Sequence, residues 1–347
     1  MSVRYPDAPS RSEINHARDV EGNSYLHQLC AADAAPEKIE YAILALGANV
    51  DLCNKKGHPP LATAIQHASA STVDLLIRHG ARLFFDVGAQ ARDEESFNAI
   101  LCATQTGRLQ AFEIVLKKGG AEYINRAGIS TSGLQVNTYA LHEAVERGHI
   151  YMINRLIEQG AFKDQPRGSE EITPVILAAK LDMRAALEEL VNKGADVRRT
   201  DAKGWTALHY AAELIDESAL RLLVLQGADL DAMTRQGETP LICAVRLGRI
   251  DCVRCLLDAG ADIDARQKSE AGRTPLMIAA GHNNQDMVKL LLARGANPTL
   301  TDAFNRAASA FVDDARRSDL KSLLKEHEDQ ANRSAFEKAY RQSRKSA

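Results

Sequence analysis

A Gly-Ala pair recurs through this chain at nearly constant phase. It stands at Gly47, Gly80, Gly160, Gly194, Gly227, Gly260 and Gly295, with a degenerate copy, KKGGAE, at Gly119. Successive glycines lie 33, 39, 41, 34, 33, 33 and 35 residues apart. A second landmark precedes the pairs by about 20 residues and reads GNSYLHQLC, GHPPLATAI, YALHEAV, ITPVILAA, GWTALHYAA, GETPLICAV and GRTPLMIAA. Two landmarks locked in phase leave little freedom of fold. The chain must repeat one small structural unit and bury each copy against the next.

The unit beginning near Asp201 shows what that structure is. Gly204 permits a tight turn, and Thr206 stands where a hydroxyl caps a first helix. Leu208, Ala211 and Ala212 share one face of that helix, with alanines small enough for close helix approach. A second helix carries Leu220, Leu222, Leu223 and Leu225, and Gly227 follows as its terminator. In sister units Pro240 and Pro275 fall in the first helical turn, where a missing N–H is tolerated. Apolar residues are 45% of the chain but aromatics only 5%. That is the balance expected of stacked helices packed with Leu, Ile, Val and Ala.

These residues resemble the ankyrin repeat. Its pattern is a Gly, then Thr-Pro-Leu-His or a variant, then Ala-Ala, then Leu-Leu-x-x-Gly-Ala-Asp. The clearest copies are residues 204–229, 237–262 and 272–297, and the resemblance covers roughly residues 19–312. It implies an all-α solenoid of about eight helix-turn-helix units joined by hairpin-like fingers, with a degenerate C-terminal capping repeat. The domain reading is a poorly ordered segment 1–18, a repeat domain 19–312, and capping helices with a basic tail over 313–347. Residues 305–328 read as a last helical pair, with Leu320, Leu323 and Leu324 inward. The following stretch extends a helix through Phe336 and Tyr340.

Two spacings exceed the period and mark enlarged connections at residues 82–92 and 122–136. Surface loops accept added length cheaply. The same segments, with Phe84, Phe85, Tyr123 and Ile124, also suit a widened contact surface, and both readings stand.

The repeat phase accounts for most of the residues that could suggest chemistry. His27, His142 and His209 recur at one repeat position, so they belong to the scaffold. The resemblance implies that this His bonds neighbouring repeat backbone and the preceding hydroxyl, Ser24 or Thr206. Cys252 and Cys255 form a C-x-x-C, but inside a second helix and without a matching ligand pair for zinc. Both fall where sister units carry apolar residues and read as buried structural cysteines. Cys30 and Cys102 fall on helices in the same way. No phosphate loop, metalloprotease or nucleophile-elbow motif is present. We expect no catalytic residue, metal or cofactor. The competing enzyme reading is a Cys/His hydrolase using Cys102 or Cys252, or a zinc site at Cys252 and Cys255.

Binding contacts should come from positions the period does not explain. Trp205, the one tryptophan, occupies the variable position between Gly and Thr, where sister units carry His58, Ile172, Glu238 and Arg273. It reads equally as a binding anchor or as a ring packed on an adjacent hairpin. Neighbouring tips offer Lys203, Arg235, Gln236, Glu238 and Arg273. First-helix faces offer Tyr210, Glu213, Lys180, Arg246, His282, Glu146 and Arg147. This mixture fits a polar-rimmed protein interface. With 43 basic against 46 acidic residues and a net charge of −3, no single-sign stripe suits a phosphate backbone.

The expected function is therefore non-enzymatic recognition of a partner protein, with no nucleic acid, by a monomer. A regulatory or targeting subunit of a separate enzyme is the alternative. No apolar run approaches the roughly 18 residues of a membrane span, and the N-terminus lacks the apolar core of a secretory signal. Six cysteines without framework spacing fit a cytoplasmic setting. The plain repeats resemble stand-alone ankyrin proteins, including ones that bacteria deliver into host cells.

Overall fold

The computed structural model describes residues 5, 8–86, 96–128, 138–268, 271–312 and 318–345. The tips of both enlarged connections, residues 87–95 and 129–137, lie outside the described residues. The chain separates into two compact units, Met1–Ser169 and Glu170–Ala347, and each is built from helix pairs.

In the first unit the pairs are α1 (Tyr25–Ala31) with α2 (Pro36–Glu40), α3 (Pro60–His67) with α4 (Ala70–Arg78), α5 (Ala99–Thr106) with α6 (Leu109–Lys117), and α7 (Ala140–Glu146) with α8 (Ile150–Glu158). A π-helical turn, Tyr41–Ala45, continues α2. The first helices stack in order, α1 on α3, α3 on α5 and α5 on α7. Residues 8–18 carry no repeat landmark, yet Ile14 is fully buried. The Asn15 side chain donates to the Gly47 carbonyl and accepts from the Asn49 N–H. A short antiparallel pair, β1 (Phe84–Asp86) and β2 (Ser96–Asn98), forms the base of the first enlarged finger, with Phe85 opposite Phe97.

In the second unit the pairs are α9 (Pro174–Lys180) with α10 (Arg184–Asn192), α11 (Ala207–Glu213) with α12 (Ser218–Leu225), α13 (Pro240–Arg246) with α14 (Ile250–Asp258), and α15 (Pro275–Gly281) with α16 (Gln285–Ala293). Where a last helical pair was expected, only a 3-10 turn, Ala308–Phe311, stands in for the first helix. That segment has neither the Thr cap nor the Pro that start α9, α13 and α15. The second element is α17, a 28-residue helix, Ser318–Lys345. Its first turns cap the unit by burying Leu320 and Leu324, while Phe336 further along is 73% exposed.

The local causes are the ones the sequence pattern implies. The hydroxyls of Thr173, Thr206, Thr239 and Thr274 each accept the N–H of the third helical residue. This satisfies one of the donors that a helix start leaves free. The first helices are sandwiched between neighbours, so Ala178, Ala179, Ala211, Ala212, Ala244, Ala279 and Ala280 are all buried. Each unpaired repeat would expose these faces, and burying a single Leu is worth about 1.5–3 kcal/mol.

Adjacent fingers meet at glycine. Gly237 sits at φ +73°, and a Cβ there would lie 2.3 Å from both the backbone nitrogen and the Cβ of Lys268. The Lys268 N–H donates to the Gly237 carbonyl at 3.3 Å, and the Arg235 N–H donates to the Lys203 carbonyl at 2.9 Å.

Two repeats break a rule the others keep: the chain leaves α3 extended at Ala68, ψ 171°, and α11 departs in the same way. The turn between paired helices uses a left-handed residue at Gly107, Gly148, Asp182, Gly248 and Asn283. Ile215 holds that phase in its repeat, and a β-branched side chain disfavours that conformation. The chain instead leaves α11 extended at Leu214, ψ 160°, and Ile215 is 81% exposed. Leu225, expected with the helix-packing leucines, is also 81% exposed, whereas Leu220 and Leu223 are fully buried.

Candidate functional site

The Thr-His element has the geometry of a hydroxyl activated by an imidazole. Thr206 Oγ1 lies 2.8 Å from His209 Nδ1, and Ser24 Oγ lies 2.8 Å from His27 Nδ1. The backbone N–H of each capping residue also donates to that Nδ1. The far nitrogen, Nε2, lies 3.1 Å from the Glu238 carbonyl in the His209 copy and 2.9 Å from the His58 carbonyl in the His27 copy. A carbonyl can only accept, so Nε2 carries the proton and Nδ1 is the acceptor. Burial pushes both imidazoles below the ordinary histidine pKa, opposed by the carbonyl bond. The hydroxyls and rings are buried, so these are clamps between successive repeats. His142 is equally buried, but Tyr139 replaces the hydroxyl at its helix start.

The cysteines behave as core. Cys252 and Cys255 are buried in α14, and burial pushes the Cys252 thiol up to about 11. Cys30 and Cys102 are pushed up to about 12 by the same cause. Among the described residues no group of three or more His, Cys, Asp or Glu is placed to hold a metal ion.

The binding candidates fall into distinct groups. In residues 170–347, Trp205 reaches back toward the first helix of its own repeat. Trp205 is half-buried, with its ring 5.0 Å from Tyr210 at 44° and 5.7 Å from His209. It thus packs on its own first helix, where an adjacent hairpin was one expected neighbour. Asp201, which sequence reasoning passed over, organises this corner. Its carboxylate is buried and accepts the N–H groups of Lys203 and Trp205, each at 2.8 Å, and the Tyr210 hydroxyl at 2.7 Å. The signal was present: an Asp or Asn precedes several tips at the same phase. Asp19, Asn54 and Asp302 accept comparable backbone N–H groups.

The first-helix face beside this corner is a charge ladder. Lys180 pairs with Glu170 at 3.3 Å, and Arg246 pairs with Glu213 at 3.0 Å. Glu238 corrects an expectation. It was read as an exposed tip residue, but it is 8% exposed. Its carboxylate lies 3.6 Å from Arg246 Nε and accepts the Gln267 amide at 3.1 Å. A carboxylate with two polar partners on neighbouring elements is drawn inward rather than left in solvent. Lys203 and Arg235 are exposed. Arg273 is half-buried with its guanidinium 4.8 Å from the Phe311 ring, which Arg306 also faces at 4.8 Å. The structure therefore unites Trp205, Tyr210 and Lys203, and separately Glu238 and Arg246.

In residues 1–169 the two enlarged connections pack on each other at their bases. Phe84 stacks on Tyr123 at 5.3 Å and 10°, with Arg126 over the Phe84 ring at 5.9 Å. Phe85 lies on β1. The equivalent first-helix surface nearer the N-terminus is polar. A cleft of about 260 Å³ is lined by residues that include Asn23, Gln28, Asn54, His58, Gln66 and His67.

Helix pairs in register, Thr caps, His clamps and interlocked fingers describe one architecture, and comparison with known proteins identifies it. The family model for ankyrin repeats (3 copies) matches residues 16–127, 141–234 and 214–302. The chain belongs to the ankyrin repeat family. Among curated proteins it is similar to Rabankyrin-5 of Mus musculus, 27% identical over 209 residues, covering 59% of this chain and 16% of that protein. It is similar to the E3 ubiquitin-protein ligase KEG of Arabidopsis thaliana, 27% identical over 237 residues, covering 56% of this chain and 14% of that one. It also resembles the neurogenic locus notch homolog protein 1 of Homo sapiens, 40% identical over 72 residues, covering 21% and 3%. The ankyrin chain thus spans a sixth or less of the length of these relatives and matches them only in part. Among the described residues no helix is long and apolar enough to cross a membrane.

Proposed function

We propose that this ankyrin repeat chain is a non-enzymatic module that binds a partner protein across the finger tips and first-helix face of residues 170–347. The observation that carries this reading is the Trp205–Tyr210 corner. A large aromatic pair is held half-exposed by a buried carboxylate that fixes both the tip backbone and the Tyr210 hydroxyl. Such a pair presents contact area with few rotatable bonds, so ordering it on binding costs little. The surrounding Lys203, Arg235, Glu213 and Arg246 supply a polar rim of both signs, which suits protein rather than nucleic acid. The Phe84–Tyr123 stack in residues 1–169 is a second contact area of the same kind. The partner of such a module can be an enzyme whose location or activity it controls.

The test is capture of a specific partner by wild-type protein and by Trp205→Ala, with folding checked by circular dichroism. Loss of the partner with fold retained supports the surface. Undiminished capture rejects Trp205 as an anchor.

A further inference from the structure

The corner already holds a cation. Lys180 Nζ lies 5.6 Å from the centroid of the Tyr210 ring and 3.3 Å from the Glu170 carboxylate. An ammonium over an aromatic face and beside a carboxylate is held by the ring quadrupole and by charge together. The Tyr210 ring cannot swing away, because its hydroxyl is tied to the buried Asp201 at 2.7 Å. Trp205 closes the adjoining side at 5.0 Å and 44°. Three carboxylates act on this spot electrically. Burial is the first cause of the raised Tyr210 hydroxyl pKa, and Asp201, Glu170 and Glu213 add to it. Asp201 is used by Tyr210 and Glu213 by Arg246, which leaves Glu170 as the counter-ion of whichever cation sits on the ring.

Lys180 is a replaceable occupant. Its side chain is 37% exposed and that of Glu170 56%. An exposed ion pair of this kind contributes little and its lysine is free to reorient. A guanidinium is the better ligand, because it stacks flat on an aromatic face and offers a planar fork to a carboxylate. We propose that the Trp205–Tyr210–Glu170 corner is a recognition site for an arginine side chain of the partner, with Lys180 as the intramolecular cation it displaces. This inference rests on the docking surface proposed above and assigns the chemistry of its centre.

The chain's one tryptophan makes the site directly readable, since all indole fluorescence comes from Trp205. Full-length protein is titrated with tetra-arginine and, separately, tetraglutamate, following Trp205 emission at fixed ionic strength. A saturable shift with tetra-arginine and none with tetraglutamate is expected. Lys180→Gln removes the competitor and tightens tetra-arginine binding about tenfold, and Tyr210→Leu weakens it by a similar factor. Glu170→Gln weakens it as well. Calorimetry repeats the titration on Trp205→Leu, and circular dichroism confirms that each variant folds.

Equal responses to the two peptides, or tetra-arginine binding that Lys180→Gln fails to tighten, overturn the arginine assignment. If the peptides fail while partner capture still depends on Trp205, the docking surface stands and only its cation chemistry falls. If capture is also indifferent to Trp205, both readings fall together.

Discussion

Replacing His209 with leucine separates a structural clamp from a chemical group. Leucine nearly fills the volume, so the change removes hydrogen bonds without opening a large cavity. The Thr206 N–H loses its bond to Nδ1, and the Glu238 carbonyl loses its bond to Nε2. The Thr206 hydroxyl also loses its acceptor at 2.8 Å but keeps the His209-position backbone N–H as a partner. The Thr206 N–H is thus stripped of its partner in a buried setting, while the Glu238 carbonyl keeps the Thr234 N–H at 3.0 Å. At roughly 1–3 kcal/mol for a buried unsatisfied group, the loss is about 1–3 kcal/mol. Urea unfolding followed by circular dichroism gives the total. Emission of Trp205, 5.7 Å from His209, reports whether its own repeat opens first, as a one-dimensional stack allows. The wild type should also weaken in acid. Burial holds the His27 and His209 pKa values below the ordinary histidine value of 6.5 in the folded state. Their contribution is then complete above pH 6.5 and is lost as the pH falls through the folded values. His209→Leu should flatten that acid limb. A loss below about 0.5 kcal/mol with an unchanged acid limb would refute the clamp, since it falls short of even one lost hydrogen bond.

Gly237→Ala should destabilise by about 1–2 kcal/mol from left-handed backbone strain alone, with more from the 2.3 Å approach to Lys268. The same change at Gly260, also at positive φ but with nothing near its missing Cβ, should cost less when both are measured by thermal unfolding. A thiol-reactive chromophore at pH 8 should label Cys53, the half-buried cysteine, before unfolding releases the other five. Burial holds Cys30, Cys102 and Cys243 near 12. Raised folded values mean stability is intact below pH 9 and declines above it, as thiols ionise only in the unfolded chain. Arg246→Ala leaves Glu238 buried without its cation and should cost about 1–3 kcal/mol, partly restored by Glu238→Gln.

The fold was legible because its determinants are local and periodic. A Thr before a helix, an Ala-Ala in it and a Gly after it act within one repeat, so their spacing alone names the elements. The histidines were legible for the same reason: His27 and His209 share a phase and hence a geometry. What the period could not show is where a non-periodic side chain turns. Trp205 and Glu238 occupy the same variable position, yet one lies half-exposed on Tyr210 and the other is drawn under Arg246 and Gln267. The difference comes from partners on neighbouring elements, which sequence distance hides. Asp201 was overlooked because an Asp before a finger reads as turn chemistry. Only the structure shows its second oxygen on the Tyr210 hydroxyl. The Phe84–Tyr123 stack was likewise invisible, since the rings lie in connections that break the period.

The central claim is that partner recognition belongs to the first-helix side of residues 170–347 rather than to the exposed apolar residues of the second helices. Leu225, at the end of α12 and 81% exposed, is the natural control. Side-by-side affinity capture with Trp205→Ala and Leu225→Asp, each verified as folded, decides between the two faces. The account predicts that the specific partner is lost from Trp205→Ala and retained by Leu225→Asp. Retention by Trp205→Ala with loss from Leu225→Asp would contradict it.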